Sequence, residues 1–121
     1  MSQTVNKQIL VGHIGAAPTA ADLPSGSRVL NLSVATNRTW KDKESGDKEQ
    51  RTDWHNVSIF GKSAENAEQI LKSGDYVYIE GETIPSSYEK DGQKHYRTDI
   101  HCSDWKILSS RSDSEEDNGN Q

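Results

Sequence analysis

The fold is decided by residues 51–79, which read RTDWHNVSIFGKSAENAEQILKSGDYVYI. The first ten of these, residues 51–60, alternate in character. Val57 and Ile59 fall on one side of an extended chain, and polar or aromatic side chains fall on the other. Because side chains of a strand point alternately to opposite faces, this period of two predicts a strand with one buried face.

A short helix follows this strand. Ser63 can act as its N-cap, the helix runs through Leu71, and Gly74 marks its end. Residues 76–84 are rich in β-branched and aromatic side chains, which predicts the next strand. The deciding segment is therefore a strand, one short helix and a strand.

Three more strands are predicted around this segment. An alternating run predicts one of them, with Leu30, Leu32 and Val34 on one side. Residues 41–50 hold no apolar side chain, so we expect a solvated loop there. Residues 90–93, Lys-Asp-Gly-Gln, form a strong hairpin signal. The other two strands are predicted at residues 5–14 and 95–108.

The element order indicates the fold class. Five strands with one short helix between the third and fourth are the order of an OB-fold, a five-stranded Greek-key barrel that is mainly all-β. The chain has 121 residues, about the length of one domain. We expect residues 1–108 to form this domain. Residues 109–121 are polar and acidic without an aromatic residue, and we predict a short disordered tail.

The charge of the chain restricts its ligands. The formal net charge is −5, and residues 109–121 hold one basic and four acidic side chains. Residues 1–108 therefore carry 13 basic and 15 acidic side chains. A net-acidic body argues against a reader of duplex DNA with a broad basic face, for which a domain pI above about 9 is usual. It leaves room for a ligand held partly by stacking.

The sequence lacks the residues that several functional classes require. Cys102 is the only cysteine and the four histidines show no His-x-x-x-His spacing, so we expect no metal site and no cofactor. No carboxylate lies in the apolar context that acid–base catalysis requires, so we expect no enzyme. The sequence has no apolar run of about 20 residues and no N-terminal signal pattern. It predicts an intracellular protein without a membrane segment.

The second face of the strand over residues 51–60 has a composition that is unusual both for a buried core face and for a solvated one. Trp54 and Phe60 alternate there with small polar side chains, among them Asn56 and Ser58. Flat π-surfaces along a strand, with hydrogen-bonding groups between them, are what stacking of nucleobases requires. The alternative is that both rings pack under a loop or against another subunit.

Other aromatic residues lie near basic or turn sequences. Trp40 begins the polar loop beside Lys41 and Lys43, a composition that suits stacking a base and contacting phosphate. The alternative is a solvated loop with the ring folded back onto the barrel. Tyr88 precedes the hairpin turn, where it could extend a stacking surface or cap it. Trp105, near the end of the last strand, is expected to be structural.

Four motifs occur in order along the chain. They are Asn6-Lys7-x-Ile9-Leu10-Val11-Gly12, Ala35-Thr36-x-x-x-Trp40, Thr52-x-Trp54-His55-x-Val57-x-Ile59-Phe60-Gly61-Lys62 and Val77-Tyr78-Ile79-Glu80-Gly81. Together they resemble the bacterial-type single-stranded DNA-binding proteins, a family that includes the mitochondrial forms. The likeness covers residues 5–108, nearly the whole predicted domain.

The resemblance implies a homotetramer that coats single-stranded DNA without strong sequence preference during replication, recombination and repair. His55 matches a position near subunit contacts in relatives, and Tyr88 stands where many relatives have Trp. The implied DNA-binding residues are Trp40, Trp54, Phe60 and Tyr88 for base stacking, Lys7, Lys43 and Lys62 for phosphates, and Lys41, Lys72, Asn56 and Ser58 as further candidates.

The chain departs from the family pattern in three places. Residues 84–87, Ile-Pro-Ser-Ser, occupy an arm that is often rich in Arg and Lys, so we expect weaker contact with the DNA backbone there. Asn56 replaces a commonly basic residue. Bacterial relatives dock replication and repair proteins through an aromatic tail tip, which residues 109–121 lack. A phage, plasmid or organelle setting fits these departures, as does a secondary copy beside a main protein. Of these we expect the cytoplasm or nucleoid of a bacterium or a phage-infected cell.

Two other functions are known for OB-folds, and the sequence disfavours one of them strongly. An OB-fold adaptor of the replication machinery, with weak DNA binding, would use the exposed aromatics to bind another protein. The net-acidic body favours this adaptor, whereas Trp40, Trp54 and Lys62 together favour DNA. An OB-fold nuclease would need clustered carboxylates with a basic partner, which the sequence lacks.

Overall fold

The computed structural model describes residues 3–110. Within them the chain forms six strands and one helix. Five strands correspond to the predicted ones, and the helix lies where it was expected. In chain order the elements are β1 (Gln8–Ile14), β2 (Thr19–Asp22), β3 (Arg28–Lys41), β4 (Lys48–Phe60), α1 (Gly61–Ile70), β5 (Tyr76–Lys90) and β6 (Gln93–Ser109).

The sheet closes on itself as a barrel. Its strand order is β1-β5-β6-β4-β3, and β3 pairs back onto β1 at His13↔Ala35 and Ile14↔Val34. β4 and β6 pair in parallel over residues 56–58 and 99–101, and the other pairs are antiparallel. A closed five-stranded barrel with a helix between its third and fourth strands confirms the predicted OB-fold.

The core is built from the inward side chains of the barrel strands and one side of α1. Ala64 and Ala67 of the helix are fully buried against it. Trp105 packs on the cluster from β6, which confirms its structural role. The buried cluster consists of Leu10, Ile14, Leu30, Leu32, Val34, Val57, Ile59, Ala64, Ala67, Leu71, Val77, Ile79 and Ile100.

The helix begins three residues earlier than predicted. Its first residue is Gly61 and its N-cap is Phe60, which makes no side-chain capping hydrogen bond. The predicted N-cap, Ser63, instead lies inside the first turn. Its hydroxyl oxygen accepts a hydrogen bond from the indole N–H of Trp105 at 2.9 Å. The prediction is wrong because a partner from a distant strand, rather than the helix terminus, engages this hydroxyl.

Two predictions about strands need correction. β2 was not predicted, since its four residues, TAAD, show neither alternation nor β-propensity. It forms because it pairs with β3. The predicted loop over residues 41–50 is also wrong, because β3 and β4 pair as far as Lys41↔Lys48. Only residues 42–47 connect them, so backbone hydrogen bonds extend the hairpin through polar sequence.

The β5–β6 hairpin is longer than predicted. β5 continues from the expected end at residue 84 to Lys90. The hairpin signal is confirmed, since Asp91 and Gly92 both adopt positive φ, at 55° and 77°. β6 ends at Ser109, one residue beyond the predicted domain boundary. The division at residue 108 stays a prediction, and residues 111–121 of the predicted tail lie outside the described residues.

Side-chain pairs hold the exposed half of the β3–β4 hairpin, residues 36–53, here called the β3–β4 arm. The guanidinium of Arg38 donates to both carboxylate oxygens of Asp53, at 2.6 and 3.1 Å. The Thr52 hydroxyl donates to Asn37 Oδ1 at 2.9 Å. The hydrogen bond from Arg38 lowers the pKa of Asp53, and the same bond raises the pKa of Arg38.

Ile79→Ala is expected to lower the free energy of unfolding by about 2–5 kcal/mol, because it leaves a cavity in the barrel core. Ile79 is 0% exposed, whereas Ile70, on the helix, is 48% exposed. The matched control is therefore Ile70→Ala, which should change the free energy of unfolding by less than about 0.5 kcal/mol. Urea unfolding at one protein concentration measures both. Equal losses of unfolding free energy in the two variants would contradict this description of the core.

The Arg38–Asp53 pair predicts a pH dependence. Arg38 holds the pKa of Asp53 below its ordinary value of 3.8. The pair therefore stabilises the fold above that ordinary value, and its contribution is lost as the pH falls through the lowered pKa. We expect Arg38→Gln to move the Asp53 midpoint upward in an NMR titration. Arg28→Gln, which breaks a separate ion pair with Glu68, is the control. An Asp53 midpoint that Arg38→Gln leaves in place would refute the assignment.

Candidate nucleic-acid interface

The outward faces of four strands join into one surface. Residues in register share a face of a sheet, so Trp54 in β4 lies beside Ala35 in β3. Asn56 lies beside Asp99 in β6, and β6 carries the same face onto β5. We call this surface the platform. Its main residues are Asn31, Trp54, Asn56, Ser58, Phe60, Tyr88, Arg97, Asp99 and His101.

The platform brings together three of the four predicted stacking residues. Trp54 is 60% exposed, Tyr88 49% and Phe60 38%. The rings of Phe60 and His101 meet in a T-shaped contact, with centroids 5.0 Å apart. Tyr88 stacks on the ring of His95, with centroids 5.3 Å apart and planes 19° apart. These rings are supported by neighbours yet open to solvent, so no loop among residues 3–110 covers them.

A groove of about 270 Å³ lies on the platform, and most of the residues that line it are polar. The Ser58 hydroxyl donates to Asn31 Oδ1 at 2.9 Å. Arg97 donates from Nη2 and Nε to Asp99 Oδ1, at 2.7 and 3.2 Å. Asn56 also lines the groove. Amide, guanidinium and carboxylate groups keep further donors and acceptors that suit the edges of nucleobases.

Sequence reasoning missed Arg97, Asp99 and His101 as members of this surface. All three follow the period of two along β6, which is the signal that could have grouped them. The parallel register of β6 on β4 was still needed to bring them beside Asn56 and Ser58. Nothing in the local sequence specifies that register.

Trp40 lies apart from the platform. It is 48% exposed, but it stands an odd number of residues from Ala35 along β3. Because side chains alternate along a strand, it points to the opposite face of the β3–β4 arm from Trp54. There it lines a cavity of about 450 Å³ with Lys41 and Lys48. Lys48 was missed because a loop was predicted in its place.

None of the predicted phosphate-binding lysines lines the groove of the platform. Lys7 Nζ lies 3.5 Å from Glu80 Oε2. Lys7 also lines a cavity of about 340 Å³ together with His101, the residue that contacts Phe60. Lys41 lines the cavity at Trp40. The remaining three are exposed, with Lys43 in the turn of the β3–β4 arm, Lys62 in the first turn of α1 and Lys72 after the helix.

His55 lies on the core-side face of β4, in register with Val34. It is half-buried, and a hydrogen bond of 2.9 Å joins its Nε2 to the Thr36 hydroxyl. It lines a cavity of about 240 Å³ with Gln8 and Trp54. Its predicted place in a subunit interface stays a prediction, and it is next to Trp54 without being part of the platform.

The described residues offer few reactive groups. Burial raises the pKa of the Cys102 thiol to about 11, and the thiol donates to the Asp104 carbonyl oxygen at 3.2 Å. The thiol is therefore protonated at neutral pH and a poor nucleophile. Within residues 3–110 no group of three His, Cys, Asp or Glu side chains could hold a metal ion. In the same range no helix is long and apolar enough to span a membrane.

Known proteins are similar to this chain in sequence and fold. The model of the single-strand binding protein family matches residues 5–108. The SSB of Plasmodium falciparum, solved as a complex with single-stranded DNA, is similar at 26% identity and a TM-score of 0.82, over 90% of this chain and 99% of that one. A deletion mutant of the single-stranded DNA-binding protein from Thermus aquaticus is similar at 28% identity and a TM-score of 0.76, over 89% of this chain. The match covers 52% of that mutant, about half its length. Because the family model spans most of the chain, the chain belongs to the single-strand binding protein family, as its four motifs predicted.

Proposed function

We propose that this protein binds and coats single-stranded DNA without strong sequence preference and protects it during replication, recombination and repair. The observation that carries the proposal is the platform, which exposes Trp54, Phe60 and Tyr88 and holds a groove lined mostly by polar residues. Bases can stack on these rings only when they are not paired in a duplex. The geometry therefore favours single strands over duplex DNA.

Stacking supplies much of the affinity in this proposal. Each stacked base contributes roughly 1–3 kcal/mol by alanine substitution. The cations near the platform are partly neutralised by partners of their own chain, since Arg97 pairs with Asp99 and Lys7 with Glu80. Exposed lysines outside these pairs, among them Lys43, Lys62 and Lys72, are the proposed phosphate contacts.

Trp40 acts as a separate stacking site in this scheme. With Lys41 and Lys48 in the same cavity, it combines one flat ring with two ammonium groups for the flanking phosphates. Because Trp40 and Trp54 point to opposite faces of the β3–β4 hairpin, one strand contacts both only by passing around it. This geometry supports a wrapped path of the DNA.

We further propose that the protein works as a homotetramer. β1 supports this proposal, because Ile9 and Val11 on its outer face are 52% and 43% exposed. β1 pairs with β3 only at His13 and Ile14, so its β3-side edge over residues 8–12 has no strand partner within residues 3–110. An exposed apolar strand with an open edge favours pairing with another chain. His55 stays a candidate for a subunit contact.

We infer that the protein is not an enzyme and acts inside the cell, in the cytoplasm or nucleoid of a bacterium or a phage-infected cell. Its family is a DNA-binding, non-catalytic one, and the Cys102 thiol is held protonated. Replication and repair proteins are proposed partners, although residues 109–121 lack the aromatic tip through which bacterial relatives dock them.

Trp54→Ala is expected to weaken binding to oligo-dT by more than about 1 kcal/mol, because it removes a stacking ring from the platform. The matched control is Tyr96→Ala. Tyr96 is 77% exposed but lies on the other face of β6, in register with Ser87, so its loss should leave the affinity unchanged. Tryptophan fluorescence quenching during titration measures both, with a duplex of equal length as a second control. Equal affinity of folded Trp54→Ala and wild type would refute the stacking role. No quenching by either DNA would favour the adaptor function.

The affinity for oligo-dT is expected to fall as salt rises, with a log–log slope of about −0.7 per phosphate neutralised. Lys62→Gln should make that slope shallower by about 0.7 if its ammonium contacts one phosphate. The control is Lys106→Gln, since Lys106 Nζ already lies 3.3 Å from Asp104 Oδ2. Titrations at four salt concentrations give the slopes. A salt-independent affinity of the wild type would show that the lysines do not contact phosphate.

A further inference from the structure

Gly15, at the start of the connection between β1 and β2, lies directly against the ring of Trp54. A Cβ atom at position 15 would come within 2.5 Å of Trp54 Cζ3 and 3.0 Å of Cη2. It would also come within 2.9 Å of Ser33 Oγ. The six-membered ring of Trp54 therefore occupies the space in which any side chain at position 15 would begin.

The backbone at Gly15 is held in place from several directions. Its N–H donates to the Ser33 carbonyl oxygen at 2.9 Å, and its own carbonyl oxygen accepts a hydrogen bond from the Ser73 hydroxyl. The preceding residue, Ile14, donates from its N–H to the Asp75 carbonyl oxygen at 2.9 Å. Gly15 therefore cannot move away from the ring without breaking hydrogen bonds to β3 and to the segment after α1.

Trp54 is 60% exposed, so contact with its own chain covers only part of the ring. A ring that is fixed before the ligand arrives loses less conformational entropy when a base stacks on it. Support on one side and exposure on the other are the two conditions that a preorganised stacking residue has to meet. Gly15 supplies the first condition without reducing the second.

We propose that Gly15 is the positioning residue for Trp54. The absence of a side chain at position 15 lets the indole rest on the connection between β1 and β2, with its remaining surface presented to a nucleobase. This inference rests on the proposed function, and it adds a residue that contributes to binding through Trp54 rather than by touching DNA. A methyl group at position 15 forces the indole out of this orientation, since the backbone beneath it is fixed.

The first test is a double-mutant cycle on binding to oligo-dT. We expect Gly15→Ala to weaken binding about fivefold or more, a sizeable part of the value of one stacked base. In a Trp54→Phe background the same change should weaken binding less than about twofold, because phenylalanine lacks the ring atoms that meet the new methyl group. Equal losses in the two backgrounds would overturn the proposal, as would an unchanged affinity of Gly15→Ala.

The second test needs no DNA. The indole N–H signals of Trp40, Trp54 and Trp105 are recorded by ¹⁵N–¹H NMR and assigned with single Trp→Phe variants. We expect Gly15→Ala to shift the Trp54 signal and leave that of Trp105, which donates to Ser63, in place. A Trp54 signal that does not move would overturn the positioning role even if DNA binding weakened. If the signal moves while Trp54→Ala binds like wild type, the contact exists but the stacking role of Trp54, and with it this inference, is wrong.

Gly26→Ala is the matched control for loss of stability. Gly26 lies in the turn before β3 with a φ of +93°, and a Cβ there would have no atom within 4 Å. The added methyl group strains the backbone but reaches no neighbour. We expect this variant to lower the melting temperature and leave both the affinity and the Trp54 signal unchanged. If Gly26→Ala weakened binding as much as Gly15→Ala does, the effect would come from lost stability. That result would overturn the proposal.

Discussion

The period of two along β4 is the constraint on which the rest of the structure depends. Val57 and Ile59 are 1% exposed and lie opposite Leu32 and Leu30 in the barrel core. A slip of one residue in this pairing would turn Trp54 into the core and Val57 outward. Burial of these two aliphatic side chains therefore forces the aromatic and polar side chains at the alternate positions of β4 onto the surface. The stacking platform is a consequence of this packing.

The charges of the chain follow a second principle, in which acidic side chains engage several cations of the barrel strands and their flanks. Asp53 holds Arg38, Asp99 holds Arg97, and Glu80 holds Lys7. Such pairs are exposed and contribute little to stability, but each reduces the positive charge that a phosphate would meet. A net-acidic body can hold single-stranded DNA if aromatic stacking carries much of the affinity, and the exposed rings provide for that.

The predictions that succeeded depended on local chemistry. Alternation identified β4, and the pair Asp91-Gly92 identified the turn before β6, because a two-residue hairpin turn needs positive φ. Those that failed depended on partners distant in sequence. Ser63 was expected to cap α1, but Trp105 engages its hydroxyl. β2 and the polar ends of the β3–β4 hairpin exist only because β3 offers a backbone to pair with.

By itself, the sequence determined which side chains face outward on β4, where the helix lies and which family the motifs resemble. Each of these properties depends on residues that lie close together along the chain. Only the tertiary structure decided that Tyr88 and Arg97 join Trp54 and Phe60 on one surface, that Trp40 faces away, and that Gly15 lies beneath Trp54. The physical reason is that these relations depend on the register between strands, which hydrogen bonding and core packing settle only when the barrel closes.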